Sequence, residues 1–126
     1  MTMQILHVED DPDIREIAMM AFDFTGGFEL TQCESGLDCL KYLEENRTDL
    51  LLLDVMMPGM DGLQLLAEVR KRPDLADIPA IFMTARVQES ELKVLHDAGA
   101  IGVISKPFDP IELGNEIKRL LSLQNV

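Results

Sequence analysis

Basic residues are scarce in this chain. Eleven lysines and arginines stand against 23 aspartates and glutamates over 126 residues, for a formal charge of −12. Direct binding of DNA or RNA needs a basic footprint, so no nucleic-acid contact is expected. Long apolar runs are also missing. None approaches the run of about 20 residues that spans a bilayer, so no membrane segment is expected. The start, Met1-Thr2-Met3-Gln4, has no basic region ahead of an apolar stretch, so a secretory leader is not expected either. Cysteine is limited to Cys33 and Cys39, which form no CxxC pair. Two reduced, partly buried thiols in a cytoplasmic protein are the expectation. There is no linker, repeat or low-complexity tract.

What is present is a hydrophobic content of 47% at the length of one domain, enough for a sizeable core. Residues 1–126 therefore read as a single domain. Strand and helix patterns alternate five times. Gln4 to Val8 reads as a first strand, and Asp11-Pro12 as the cap and first position of a helix. Phe28 to Cys33 reads as a second strand, followed by a helix capped by Ser35. Leu50 to Leu53 is an unbroken apolar run ending at Asp54, the pattern of a strand covered on both faces. Pro58-Gly59 makes a turn, Asp61 caps the third helix, and Arg72-Pro73 ends it. Ala80 to Met83 is the fourth strand, leading to Thr84, and a helix from about Glu89 to Ala98 is closed by Gly99. Ile101 to Ile104 is the fifth strand, before Ser105-Lys106-Pro107. Asp109-Pro110-Ile111-Glu112 has the form of a capping box, with the last helix running to about Leu123. Such alternation predicts an α/β fold: a five-stranded parallel sheet, doubly wound, with five helices on its two faces.

Ligands of such sheets bind outside the carboxyl ends of the strands. Asp10, Asp54, Thr84 and Lys106 each fall at such an end. Taken singly, each has an ordinary reading as a cap, a turn residue or a surface charge; four placements on one edge favour a site. Asp54 is the most telling, because it terminates four leucines where burial is nearly complete, and a buried carboxylate without a partner is costly. Glu9 or Asp10 adds like charge. Lys106 supplies one compensating charge. A hard cation would supply two more, and Mg²⁺ suits a site of few carboxylates, several waters and a phosphate. A carboxylate can also act as a nucleophile and form an aspartyl phosphate. Phosphoryl transfer needs little beyond positioning and charge neutralisation, which Mg²⁺, Lys106, the Thr84 hydroxyl and backbone N–H groups near Ala85 could supply.

At this point the chain resembles the receiver domain of two-component response regulators. The segments that carry the resemblance are Ile5-Leu6-His7-Val8-Glu9-Asp10-Asp11, Leu53 to Gly62 (LDVMMPGMDG), Met83-Thr84-Ala85 and Ser105-Lys106-Pro107-Phe108. The resemblance implies a flavodoxin-like strand order, 2-1-3-4-5. It implies that Asp54 accepts a phosphoryl group from a histidine on a sensor kinase or a phosphotransfer protein. It assigns direct Mg²⁺ ligation to Asp10, Asp54 and the Met56 backbone carbonyl, and a water-mediated role to Glu9. Lys106 would pair with the phosphoryl oxygens, Thr84 and Ala85 would complete the site, and the Lys106–Pro107 bond would be cis. Asp11 is assigned to helix capping, the Met56 side chain to packing, and His7 and His96 to strand or helix surface.

The resemblance further implies a phosphorylation-activated switch. Its output is the surface of helix four, strand five and helix five, acting on a protein target, with coupling through the loop from Thr84 to Glu89. Such a domain is not an enzyme toward other substrates; it catalyses only its own phosphorylation and slow dephosphorylation. Many members carry an aromatic residue where this chain has Val103, so an aromatic gate is not expected. Met56 and Arg86 hold the positions that tune loss of the phosphoryl group, and neither would orient a water, so a long-lived phosphoryl group is expected. Three other readings stand beside this one. A haloacid dehalogenase-type phosphatase would need a second acid where Met56 stands. A flavin carrier would need a phosphate cradle where Glu9-Asp10-Asp11 repels one. A receiver-like scaffold that is never phosphorylated would not need all four site residues. A stand-alone regulator, a relay intermediate and a piece of a longer protein all fit the sequence.

Overall fold

The computed structural model describes residues 2–86 and 88–124. Ten elements alternate along the chain: β1 (Met3–Val8), α1 (Pro12–Thr25), β2 (Phe28–Cys33), α2 (Gly36–Glu45), β3 (Leu50–Asp54), α3 (Gly62–Arg70), β4 (Ala80–Thr84), α4 (Glu89–Asp97), β5 (Gly102–Ser105) and α5 (Leu113–Gln124). All strand pairings are parallel, in the order β2-β1-β3-β4-β5. This is the doubly wound architecture that the alternating pattern predicts, in the flavodoxin-like order that the family resemblance implies.

The sheet is the middle layer. One face packs Leu6, Val8, Leu51, Leu53 and Phe82 against residues of α2, α3 and α4, including Cys39, Leu43, Leu65, Leu66, Val69 and Leu95. The other packs Ile5, Leu50, Leu52, Ile81 and Met83 against Ala18, Ala21 and Phe22 of α1 and Ile117 and Leu120 of α5. The four leucines of β3 are all at 0% exposure, and burying each contributes about 1.5–3 kcal/mol. That places the strand carrying Asp54 in the middle of the core, beside the equally buried β4.

Caps set where the helices begin. The Asp11 side chain accepts from the Asp13 amide at 2.9 Å, with Pro12 in the first turn. Ser35 accepts from the Asp38 amide. Asp61 and Gln64 form a reciprocal capping box, each side chain bonding the other's backbone N–H.

Four expectations need correction. The last helix starts at Leu113, not Pro110. The Asp109 carboxylate accepts from the Ile111 amide two residues on, which makes a side-chain turn instead of a capping box, and the Asp109 carbonyl accepts from both Glu112 and Leu113. β5 is shifted one residue along, to Gly102–Ser105, although Ile101 N–H also bonds the Ala80 carbonyl at the sheet's margin. α3 stops at Arg70, ahead of Arg72-Pro73. His7 is not on a surface: it lies on β1, covered by layers on both sides, at 0% exposure, whereas His96 is exposed on α4. Cys33 and Cys39 are free and both are buried. Val87, in the loop expected to carry coupling, lies outside the described residues.

Candidate functional site

The sheet's hydrogen bonds run one step past the strand ends, and those extra bonds place the site. Glu9 N–H bonds the Cys33 carbonyl, Val55 N–H the Met83 carbonyl, and Lys106 N–H the Thr84 carbonyl, at 3.0, 3.1 and 2.9 Å. The side chains of residues 9, 54, 84 and 106 are therefore held by the frame of the sheet, although they lie up to 97 residues apart in the chain. The Lys106–Pro107 bond is cis. α3 closes against the site at Gly62. Its amide donates to the Val55 carbonyl at 3.0 Å, and a Cβ there would collide with the Asp54 carbonyl oxygen, so only glycine fits.

The Lys106 ammonium joins two acids. It lies 2.7 Å from Glu9 Oε1 and 2.9 Å from Asp54 Oδ1. Glu9, Asp54 and Thr84 are buried at 1%, 3% and 3% exposure, while Asp10 is exposed beside them. One carboxylate oxygen from each of Glu9, Asp10 and Asp54 lies within 4.8 Å of the others. Burial raises the Glu9 carboxyl to about 7, with the neighbouring Asp54 adding to the rise and Lys106 opposing it. Burial pulls the Lys106 ammonium down, but hydrogen bonds and charge from Asp54 and Glu9 outweigh it and raise it overall. Behind the site, burial lowers His7 to about 3, helped by the positive charges of Lys106 and Arg15.

This donor set fits a hard divalent cation. It offers only oxygens, it carries more carboxyl groups than its one ammonium can balance, and the exposed Asp10 gives a route in from solvent. Glu9 is poorly free for direct ligation, since Oε1 is held by Lys106 and Oε2 accepts from the Asp11 amide at 3.3 Å.

Thr84 Oγ1 accepts from the Arg86 amide at 3.0 Å, which leaves the hydroxyl proton to donate elsewhere. Ala85, Lys106, Pro107 and Phe108 face Ile14 and Ile17 of α1 across a cleft of about 270 Å³. The Met56 side chain, read as packing, is 57% exposed and lines an open cleft of about 410 Å³ with Val55, Leu63, Arg86 and Val94. Val103 is half-buried on β5. Arg15 and Gln32, which contact the back of the site, carried no sequence signal: a lone arginine on a helix and a glutamine on an edge strand match no motif.

Comparison with known proteins agrees with this geometry. Residues 5–118 match the response regulator receiver domain family. The transcriptional regulatory protein CseB of Streptomyces avermitilis is 38% identical over 117 residues, 93% of this chain and 48% of that protein. The response regulator MprA of Mycobacterium leprae is 38% identical, over 94% of this chain and 51% of that protein. The response regulator Rre1 of Synechocystis is 30% identical, over 97% and 53%. The chain thus spans about half the length of the curated relatives it matches. Among solved structures, the signal receiver domain of a signal transduction histidine kinase from Syntrophus aciditrophicus superposes with a TM-score of 0.83 at 33% identity, covering 96% of this chain and 91% of that one. The chemotaxis response regulator CheY4 of Vibrio cholerae gives 0.88 at 25% identity, covering 95% and 99%. The fold, the motif order and the relatives agree: this chain belongs to the receiver domain family of two-component response regulators.

Proposed function

We propose that this domain is a phosphorylation-activated switch in which Asp54 takes a phosphoryl group from a phosphohistidine on a sensor kinase or phosphotransfer protein. The observation that carries the reading is the pairing of a buried strand-end carboxylate with Lys106 inside an oxygen cluster too acidic to be balanced without a further cation. An Asp54 carboxylate oxygen attacks phosphorus, the O–P bond forms and the N–P bond breaks. The bonding pair returns to the donor imidazole, which takes a proton from solvent. The Lys106 ammonium lies against the acceptor and pairs with a phosphoryl oxygen. Thr84 has a free hydroxyl proton to donate, and the small Ala85 leaves room while its N–H adds a donor. Asp10, Asp54 and the Met56 carbonyl would hold Mg²⁺, with Glu9 acting through a water. The bound ion would neutralise charge on the transferring oxygens.

The donor has a surface to approach. Ile17, Met20 and Phe24 stand 43%, 62% and 68% exposed on α1 at the spacing of one helical face, and Ile17 borders the cleft beside Lys106. Signal output through the face of α4, β5 and α5 to a protein target completes the reading. Among the described residues no helix is long and apolar enough to cross a membrane; a cytoplasmic location belongs to the same proposal, as does the reading of residues 1–126 as one domain. Incubation with Mg²⁺ and a small acyl phosphate, followed by intact mass, tests it. The parent should gain one phosphoryl group and Asp54→Ala none. An unlabelled parent, or an equally labelled variant, overturns the assignment.

A further inference from the structure

Asp10 is the one member of the acidic cluster that the structure leaves without a side-chain tether. It is exposed, and among the described residues no side chain grips its carboxylate, whereas Glu9 and Asp54 are both fixed by Lys106. Its position is therefore set by the backbone of the loop around it. That loop is held at two carbonyls, those of Glu9 and Asp11, by the same residue. The Arg15 guanidinium donates from Nη1 to the Glu9 carbonyl at 2.7 Å, and the Arg15 amide donates to the Asp11 carbonyl at 3.0 Å. Any residue in the first turn of α1 would make the second bond. Only a long donor makes the first.

Arg15 is itself anchored from behind. Its carbonyl accepts from Gln32 Nε2 at 2.8 Å, and the same amide nitrogen donates to Nδ1 of the buried His7 at 3.1 Å. The Arg15 side chain is 21% exposed, and its second nitrogen only grazes the exposed Glu34, at 4.0 Å. Its strongest tie is thus to the backbone of the loop that carries Asp10, not to a carboxylate.

We propose that Arg15, backed by Gln32, is the positioning residue of the cation site: it holds the loop between β1 and α1 so that Asp10 stays within reach of Asp54. This rests on the reading of Glu9, Asp10 and Asp54 as a Mg²⁺ site. Groups that orient metal ligands are worth about 10- to 100-fold in metal affinity. The sign separates positioning from simple charge. Arg15 is a cation beside a cation site, so electrostatics alone says that removing it strengthens Mg²⁺ binding. Positioning says the reverse.

The test is calorimetric titration of the domain with Mg²⁺ alone, with circular dichroism to confirm the fold. Arg15→Met should weaken binding at least tenfold, and Arg15→Lys, which keeps one donor, should recover part of the loss. Gln32→Met should weaken binding by a few fold and add little on top of Arg15→Met, since both act on one path. Arg47→Met serves as the charge control: it removes a remote arginine paired with Asp74 and should leave binding near the parent's. Folded Arg15→Met protein that binds Mg²⁺ as tightly as the parent, or tighter, overturns the proposal. Should Arg15→Met not fold, Gln32→Met decides: a weakened constant supports the proposal and an unchanged one overturns it. A parent that binds no Mg²⁺ removes the cation site itself, and with it this role.

Discussion

Replacing Asp10 with Asn should make the metal-free protein more stable and the Mg²⁺-loaded protein less stable than the parent. One carboxylate oxygen from each of Glu9, Asp10 and Asp54 lies within 4.8 Å of the others. Two unit charges at that separation repel by about 3.5 kcal/mol at an effective dielectric of about 20, and by about 1 kcal/mol in bulk water. Asp10 is exposed, so screening pulls its share to the low end. Glu9, raised to about 7, is only partly ionised near neutral pH, which leaves Asp54 as the main source of repulsion. The substitution should therefore stabilise the metal-free fold by about 1 kcal/mol, or about 4 °C in Tm for a chain of this size. Mg²⁺ at a hundredfold excess over its Kd should stabilise the parent by about 2.7 kcal/mol, and Asp10→Asn by far less. The rank order should thus reverse between the two conditions. Urea unfolding followed by circular dichroism, in EDTA and then in Mg²⁺, reads both. An Asp10→Asn protein less stable than the parent in EDTA would refute the idea that the cluster is held together against its own charge.

Four further outcomes follow from the same geometry. Lys106→Met strands Glu9 and Asp54 without their shared ammonium and should destabilise the metal-free fold by about 2–3 kcal/mol in urea, a little below the cost of breaking a fully buried pair; no change would show that the two contacts contribute nothing. Glu9 has a folded-state pKa raised from the ordinary 4.5 to about 7, so its contribution to stability is present below pH 4.5 and lost as pH rises toward 7. Glu9→Gln should remove that loss, so its stability relative to the parent should rise across that window, and parallel pH profiles would contradict it. Gly62→Ala drives a Cβ into the Asp54 carbonyl and should destabilise by about 1–3 kcal/mol; an unchanged urea midpoint would show that the loop yields freely. Met56→Asn places an amide in the open cleft near the acceptor and should shorten the lifetime of the phosphoryl group, read by intact mass after the donor is removed, with equal lifetimes striking Met56 from the account.

Most of the site was legible because its residues sit at the ends of strands whose patterns are plain. Four leucines in a row, within an alternating pattern of strands and helices, read as a strand buried on both sides, and the acid that follows them then falls at the sheet's edge. Asp11, Ser35 and Asp61 announced three helices through ordinary capping chemistry. The misses have separate causes. Asp109 had two nearby amides to choose between and took the closer, which delayed α5 by a turn. His7 carried no mark of burial, since one polar residue in a short strand reads the same inside or outside. Arg15 and Gln32 were invisible because each bonds a backbone carbonyl, a partner that every sequence has and no motif records.

The pairing of Glu9 with Lys106 across 97 residues has a consequence for synthesis. A polypeptide emerging from the ribosome displays Asp10 and Asp54 long before Lys106 arrives, and β5 has yet to add its edge. Until that lysine and β5 are threaded in, Asp54 has neither its balancing charge nor the strand that completes the frame around it. A half-made copy carries its buried acid uncompensated, and only a chain grown past residue 106 can close the charge balance.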